Sequence, residues 1–401
     1  MNSASNLRRI PPAPSRRGFT LVELLVVFAV LALLIALLLP AINGAVRSAR
    51  NAAVATEINQ LAQGLAQFKS THNVYPPSRI ILSESGNYSV TYLQSLKHKQ
   101  IDALTNAQLT ALASRSVSYL RRIWPKMVLN TSGTAAVAGI PGGYYDFNGD
   151  QDGTGEQVHV LDGAECLVFF LGGLPGFVDG QPTTTGFAQN PANPAISSLN
   201  TTLGANRTSP MYDFRPGRMV DNYPKTDTGT AGNGFPEYLD GLSGVDSQPF
   251  VYFSSYEGAG YDPDDVNYAE EGPQSNGTLV SATWTAGGMV SSGIGGKFYK
   301  GGTTIASPAP NPYTNGSALP ATGTTNPEFV NKNTFQIISA GFDNQFGIGG
   351  SYKASGGDVL PFVAAQGAVY EDGALATATL GSSIRERERD NLTNFKGGRL
   401  D

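Results

Sequence analysis

The strongest pattern in the chain is an apolar run from Phe19 to Leu39, interrupted by one carboxylate, Glu23. A helix of that length rises about 30 Å, the thickness of a bilayer's hydrocarbon core, so the run predicts a membrane-spanning helix. Pro40 follows and predicts a bend. Beyond it Val54, Ile58, Leu61, Leu65 and Phe68 recur at steps of four, three, four and three, one face of a helix. The two patterns together predict a single long helix ending near Ser70, with its outer half packed on a globular domain through that stripe. Tyr75-Pro76-Pro77-Ser78 stops it.

Later elements are shorter. Residues 101–123 place Leu104, Leu109, Leu112, Val117 and Leu120 at helical spacing and predict an amphipathic helix. Leu161 to Leu171 predicts a short buried helix with Cys166 as core filler. Thr334–Ala340 reads as a strand, and Pro249–Tyr256 and Gly288–Tyr299 as shorter ones. From 174 to 330 the chain is dominated by Gly, Pro, Thr, Asn and Ser, which predicts long surface loops. The expected fold class is α+β: a long N-terminal helix, membrane-spanning in its first half, packed on a small antiparallel sheet with extended loop insertions. The expected division is a leader at 1–18, a transmembrane helix at 19–39, a helix extension at 40–74 and a globular domain at 75–401.

Charge changes the picture at one end. Arg8, Arg9, Arg16 and Arg17 all precede the apolar run, and by the positive-inside rule they stay cytoplasmic and send the rest outward. Without that leader the chain carries 23 basic against 32 acidic residues, so it has no basic footprint for nucleic acid. With Cys166 as the only cysteine, neither an intramolecular disulfide nor a cysteine-based zinc site can form.

The small residue suited to cleavage, Gly18, lies before the apolar run rather than after it, so cutting there leaves the hydrophobic helix on the mature protein. It also creates an amine on Phe19, near the depth of Glu23. A charge within a membrane helix is costly and marks function by default; the plainer reading is a shallow carboxylate that snorkels to the interface.

Gly18-Phe19-Thr20-Leu21-Val22-Glu23 resembles the type IV prepilin family without departure, and the chain is most similar to the pseudopilins of type II secretion. The resemblance implies cleavage between Gly18 and Phe19 by a prepilin peptidase and N-methylation of Phe19. It also implies pairing of Glu23 with a neighbouring subunit's Phe19 amine during assembly. Its implied partners are other pseudopilin subunits and an inner-membrane secretion assembly platform. The implied location is a single pass in the inner membrane, with a periplasmic C-terminal domain and, after assembly, a pseudopilus.

Two stretches suit calcium. In Asp146-Phe147-Asn148-Gly149-Asp150-Gln151-Asp152-Gly153, oxygens recur at alternate positions, as calcium loops require, with Asp146, Asn148, Asp150 and Asp152 as candidate ligands. Counted from Asn148 as the first position, the twelfth is His159, where an EF-hand needs a bidentate Glu, so the stretch reads as a looser Asp-rich loop or a polar turn. The second stretch, Ser339-Ala340-Gly341-Phe342-Asp343, is similar to a Ser-x-Gly-x-Asp loop of major pseudopilins, which with a later Asp holds a structural calcium. Asp343 fits directly; the later residue is Asp390, with Asn391 beside it, or Asp358, because residues 351–389 form an insertion.

No P-loop, G-x-S-x-G elbow, H-E-x-x-H or dinucleotide fingerprint is present, so no enzyme is expected. Asp262, Asp264, Asp265, Glu270 and Glu271 read as a solvated acidic loop, and the alternating charges of Arg385 to Arg389 as a solvated face. The expected function is a pseudopilus subunit. The alternatives are a type IV pilin for adhesion, motility or DNA uptake, and a signal-anchored binding protein or enzyme.

Overall fold

The structure, a computed structural model, describes residues 20–102, 104–152, 157–178, 180–197, 206–221, 234–242, 247–262, 265, 298–300, 303–305, 311–315, 328–344, 346, 349–354, 360 and 388–400. The leader, Gly18, Phe19, residues 288–297, Asp264, Glu270, Glu271, Asp358 and residues 385–387 lie outside these. The chain divides into two units, Met1–Ala49 and Arg50–Asp401.

In the first unit, helix α1 (Leu21–His72) begins at Leu21 and continues through Pro40. Its large apolar side chains from Leu21 to Leu39 are 47–79% exposed, a contiguous surface that in water calls for lipid or a neighbouring helix. Among the described residues α1 is the one helix long and apolar enough to cross a membrane.

In the second unit, the outer turns of α1 bury Val54, Ile58, Leu61, Leu65 and Phe68, the stripe read from the sequence. The helix ends at His72, where Asn73 turns left-handed (φ 58°) and its N–H bonds the Lys69 carbonyl at 2.8 Å. The Tyr75-Pro76 step is then pinned from outside: Tyr119 Oη donates to the Tyr75 carbonyl (2.6 Å) and Tyr252 Oη to that of Pro76 (2.7 Å).

The chain continues through β1 (Ile80–Ser83), α2 (Val90–Ser95), α3 (Lys99–Asp102), α4 (Asn106–Ile123), β2 (Val158–Leu161) and α5 (Gly163–Gly172). The predicted 101–123 helix is therefore split. Thr105 and Gln108 form a capping box that starts α4 at Asn106, leaving Leu104 buried ahead of the cap. The predicted 161–171 helix starts two residues late for the same reason: Asp162 caps it, and Leu161 closes the β1–β2 ladder opposite Ile80. All ten residues of α5 are buried, and Phe170 meets Phe68 of α1 and Tyr119 of α4 edge-on at 5.7 Å each. Cys166 is buried there, its thiol pushed up by burial, as core filler should be.

After these come β3 (Pro175–Val178), β4 (Gln181–Thr184), β5 (Met219–Val220), β6 (Glu237–Tyr238), β7 (Val251–Ser254), β8 (Phe298–Lys300), β9 (Thr303–Ile305), β10 (Asn311–Asn315), β11 (Phe335–Ser339), β12 (Gly349–Tyr352) and β13 (Leu392–Thr393). Instead of one sheet, the described residues form several small ones, all antiparallel except the β10–β12 pair. The central sheet is β13-β11-β7, with Ile337 opposite Tyr252 and Ser339 opposite Leu392. Both faces are buried: Tyr252, Phe335 and Ile337 join the helical core, while Val251, Phe253 and Ile338 join a second core with Tyr261, Tyr313 and Phe346. With core on both faces, even the polar Gln336 and Ser339 of β11 are buried.

Two solvated readings are overturned. Asp262 and Asp265 are fully buried. Arg115 lies 3.4 Å from Asp262 and 3.8 Å from Asp265, and Ser78 and Tyr256 donate to Asp265. Burial, reinforced by Asp262, pushes the Asp265 carboxyl well above the usual carboxylate range. Glu388 is also buried and accepts a bond from Tyr313 Oη at 3.0 Å.

One polar contact fixes the α1 extension. Glu57, on the flank of the stripe, accepts Arg218 Nη1 and Nη2 (2.7 and 2.8 Å), Tyr238 Oη (2.8 Å) and Tyr212 Oη (3.2 Å). Burial and the Glu57 charge push the Tyr238 hydroxyl up to about 12, keeping it a donor. Breaking this fork leaves a charge uncompensated in a largely buried site, so Glu57→Ala is expected to destabilise the folded chain by about 3 kcal/mol. Glu57→Met with Arg218→Met should recover much of that loss. Denaturant unfolding of the detergent-solubilised full chain, followed by tryptophan fluorescence, measures both; strictly additive effects would show that the two side chains do not act together.

Candidate functional site

Three places carry the chemistry. The first is the start of α1. Thr20 is its N-cap residue: Thr20 N and Oγ1 donate to Glu23 Oε2 (2.8 and 2.9 Å), and Glu23 N donates to Thr20 Oγ1 (3.2 Å). This is a capping box, with each end of the Thr-x-x-Glu spacing satisfying the other's backbone N–H. The Thr-x-x-Glu spacing of Thr20 and Glu23 is the local sequence signal for this cap. These bonds involve only Oε2. Gly18 and Phe19 lie outside the described residues.

The second is the loop Asp146–Asp152. Asp146 Oδ2 accepts Gln151 N (3.2 Å) and the Ser197 hydroxyl, while Asp146 Oδ1 is buried with no hydrogen-bond partner. Asn148 Oδ1 accepts Asp150 N (3.2 Å), and Asp150 Oδ1 accepts Asp152 N (3.1 Å). Gln157 closes the loop: its Nε2 bonds Asp150 Oδ2 (3.0 Å) and Asp152 Oδ2 (2.5 Å), and its Oε1 accepts Asn148 Nδ2 (3.3 Å). Counted from Asp146, Gln157 is the twelfth residue, and its amide joins Asn148, Asp150 and Asp152. His159 is instead buried in β2 against Glu84 at 3.2 Å. Burial pushes the Asp146 carboxyl up, and the Asp150 carboxylate adds to the shift.

The third is the turn after β11. Ser339 Oγ donates to Asp240 Oδ2 (2.6 Å), and Phe342 N and Asp343 N donate to Asp390 Oδ2 (2.8 and 3.3 Å). Gly341 (φ 74°) permits this approach, since a Cβ there would lie 2.6 Å from the Asp390 carboxyl. Asn391 Nδ2 donates to the Phe346 carbonyl (2.9 Å). Asp390 Oδ1 and Asn391 Oδ1 are buried without hydrogen-bond partners, whereas Asp343 is exposed. Asp390 thus sits on the Ser339–Asp343 turn although the insertion separates them in sequence.

A fourth cluster was not anticipated from the sequence: Asp162, Glu165 and Glu237 are buried, with ligand oxygens within 4.8 Å of one another. Capping α5 already occupies the first two. Asp162 Oδ1 accepts Ala164 N (2.8 Å) and Glu165 N (3.2 Å), and Glu165 Oε2 accepts Asp162 N (3.0 Å). Asp-x-x-Glu ahead of an apolar helix is a local signal for that cap. Nothing in the sequence ties Glu237 to it.

Compared with known families, residues 14–39 match the model of the prokaryotic N-terminal methylation motif. No curated protein and no solved structure matches the chain. The chain carries a type IV prepilin-like N-terminus. The motif supports a type IV pilin-like, prepilin-processed protein and implies processing by prepilin peptidase and pilus-like polymerisation. The one long apolar N-terminal helix suggests a single-pass membrane anchor.

Asp240 gives the third place a pH dependence. Burial pushes its carboxyl from 3.8 to about 6, against the lowering effect of Ser339. A raised folded-state value means the folded chain keeps a proton that the unfolded chain releases. The contribution is therefore full below about pH 4 and is lost as pH rises through about 6, an effect on the order of 3 kcal/mol. Asp240→Asn should flatten the stability profile over that window; thermal unfolding of the solubilised full chain across pH tests it, and a variant profile parallel to wild type would refute it.

Proposed function

We propose that the chain is a structural subunit of a pseudopilus, processed by prepilin peptidase and assembled through α1 to support type II protein secretion. The observation that carries this reading is the Gly18–Glu23 motif at the head of α1. The first half of that helix is apolar and exposed, and its second half is locked into an outer domain. Cleavage after Gly18 makes Phe19 the new N-terminus, where it is N-methylated. Capping engages Glu23 Oε2, and the carboxylate's other oxygen faces the task of pairing with a neighbour's Phe19 amine. The partners are prepilin peptidase, other pseudopilin subunits (like or unlike) and the inner-membrane assembly platform. The anchor spans the inner membrane once, the C-terminal domain is periplasmic, and the assembled form is the pseudopilus.

The pseudopilin reading is preferred to an adhesive or motile type IV pilin because the single, buried Cys166 leaves no C-terminal disulfide loop. A structural calcium at the turn after β11 belongs to the same reading. Asp343, Asp390 and Asn391 are the residues to hold it, and the orphaned oxygens of Asp390 and Asn391 fit a hard cation. It would supply a clip between that turn and the last segment of a domain that has no disulfide.

Glu23→Ala and Glu23→Leu, expressed in cells, are expected to leave cleavage and membrane insertion normal while impairing fibre formation. Immunoblots for the processed form and electron microscopy of sheared fibres score the two steps separately. Unchanged fibres in both variants would sink the pairing.

A further inference from the structure

We infer that Asp265, Asp262 and Arg115 form a pH-sensitive clasp, closed while Asp265 carries a proton and opened when it loses it, whether or not the chain builds a pseudopilus. The clasp gathers four parts of the outer domain. Ser78 comes from the segment that stops α1, Arg115 from α4 and Tyr256 from the exit of β7. Asp262 and Asp265 come from a turn in which the Asp265 N–H bonds the Asp262 carbonyl at 3.1 Å. Ser78 joins two of these parts: its hydroxyl accepts Ser254 N at 2.7 Å and donates to Asp265 Oδ2. Tyr256 Oη donates to the same carboxyl oxygen at 2.8 Å.

The charges around Asp265 do not balance if it ionises. Arg115 is the cation that faces it, and Arg115 lies nearer the other carboxylate. Its Nη1 and Nη2 are each 3.4 Å from Asp262 Oδ2, and Nη2 is 3.8 Å from Asp265 Oδ1. Asp265 is left with two neutral donors, both on Oδ2, while its Oδ1 is buried with no hydrogen-bond partner. A fully buried carboxyl so placed holds a proton rather than a charge. The other titratable groups facing it are Tyr252 and Tyr256, on β7 and at its exit, and the Cys166 thiol of α5. Burial keeps all three neutral, so none supplies a counter-charge.

The backbone adds a force for opening. Tyr256 (φ 46°) and Glu257 (φ 62°) are successive non-glycine residues in the left-handed region, where a Cβ is crowded. The Tyr256–Asp265 bond holds this turn on one side. Arg122 holds it on the other, bonding both Glu257 oxygens (2.6 and 3.0 Å) and the Asn73 carbonyl (2.6 Å). Once Asp265 ionises, its desolvation, its repulsion from Asp262 and the strain of the turn all act to part residues 254–262 from Ser78 and Arg115. The folded chain keeps a proton that the unfolded chain releases. The clasp's contribution is therefore full below about pH 4 and is lost as pH rises through the raised folded-state value.

Hydrogen exchange read by mass spectrometry on the detergent-solubilised full chain tests this, from about pH 5 to about pH 9 and corrected for the intrinsic pH dependence of amide exchange. In wild type, protection of residues 254–262 is expected to fall as pH rises, approaching about ten-fold per pH unit once Asp265 ionises, while α5 keeps its protection. Asp265→Asn keeps an oxygen for Ser78 and Tyr256 but carries no charge, so its protection should not depend on pH. Asp262→Asn leaves Arg115 to Asp265 alone, which balances the ionised carboxylate and should also abolish the fall. Asp240 titrates in all three proteins, so differences among them isolate the clasp. Wild-type protection that does not change with pH, or a fall that persists undiminished in Asp265→Asn, overturns the proposal. Should Asp265→Asn fail to fold, an undiminished fall in Asp262→Asn does the same.

Discussion

Helix α1 imposes the constraint that the rest of the chain answers. It is apolar on every side through Leu39, then apolar on one stripe from Val54 to Phe68. A helix of the first kind is stable only where water is absent, and one of the second kind only against a complementary face. The outer domain supplies that face. Gly64 packs against Leu171 and the Met211 carbonyl, which a Cβ there would meet at ordinary contact distance, 3.4 Å. The Glu57–Arg218 fork then gives the packing a polar lock, stiffened by Tyr238, whose ring lies 4.5 Å from the Arg218 guanidinium. Apolar burial supplies most of the attachment energy, at about 1.5–3 kcal/mol per large side chain, but does not specify one register. A directional fork, left with unpaired charge in any shifted register, does.

The fully buried α5 and the twice-buried β7–β11 pair carry that order outward. Because β11 has core on both faces, the turn that leaves it is held rigidly, and Asp240, Asp390 and Asn391 are fixed around it. Asn394 extends the effect: its Oδ1 accepts Ile337 N at 2.9 Å and its Nδ2 donates to the Phe335 carbonyl at 3.2 Å, taking the place of a strand neighbour where β13 is only two residues long. A sheet this small holds because side-chain amides complete its ladder.

The parts of this architecture readable from the sequence are those written in periodicity. The membrane run, the α1 stripe and β11 each show through nearest neighbours along the chain. Helix starts did not, because apolar content continues across them. Leu104 and Leu161 are buried like helix-face residues, yet Thr105 and Asp162 cap after them. β1 and β2, four residues each, are too short to show a period. The burial of Asp262, Asp265 and Glu388 is invisible in the sequence for a different reason. A charge looks solvated until its partner is known, and Arg115 and Tyr313 lie far away in sequence. The Asp146–Asp152 loop falls between these cases: its oxygen-bearing residues are local and visible, but only the fold shows that Gln157 reaches back to close it.

The same distinction bears on Glu23. The capping box requires only a side-chain oxygen three residues after Thr20, and glutamine meets that requirement as well as glutamate. Capping therefore accounts for the position of Glu23 but not for its charge. A charge in an apolar helix persists only where something offsets its desolvation, and within this chain the box offers neutral donors, Thr20 N and Thr20 Oγ1. In the assembly proposed above, a neighbouring subunit's amine would supply the counter-charge that the box does not, and with capping confined to Oε2 the carboxylate keeps its second oxygen for that pairing.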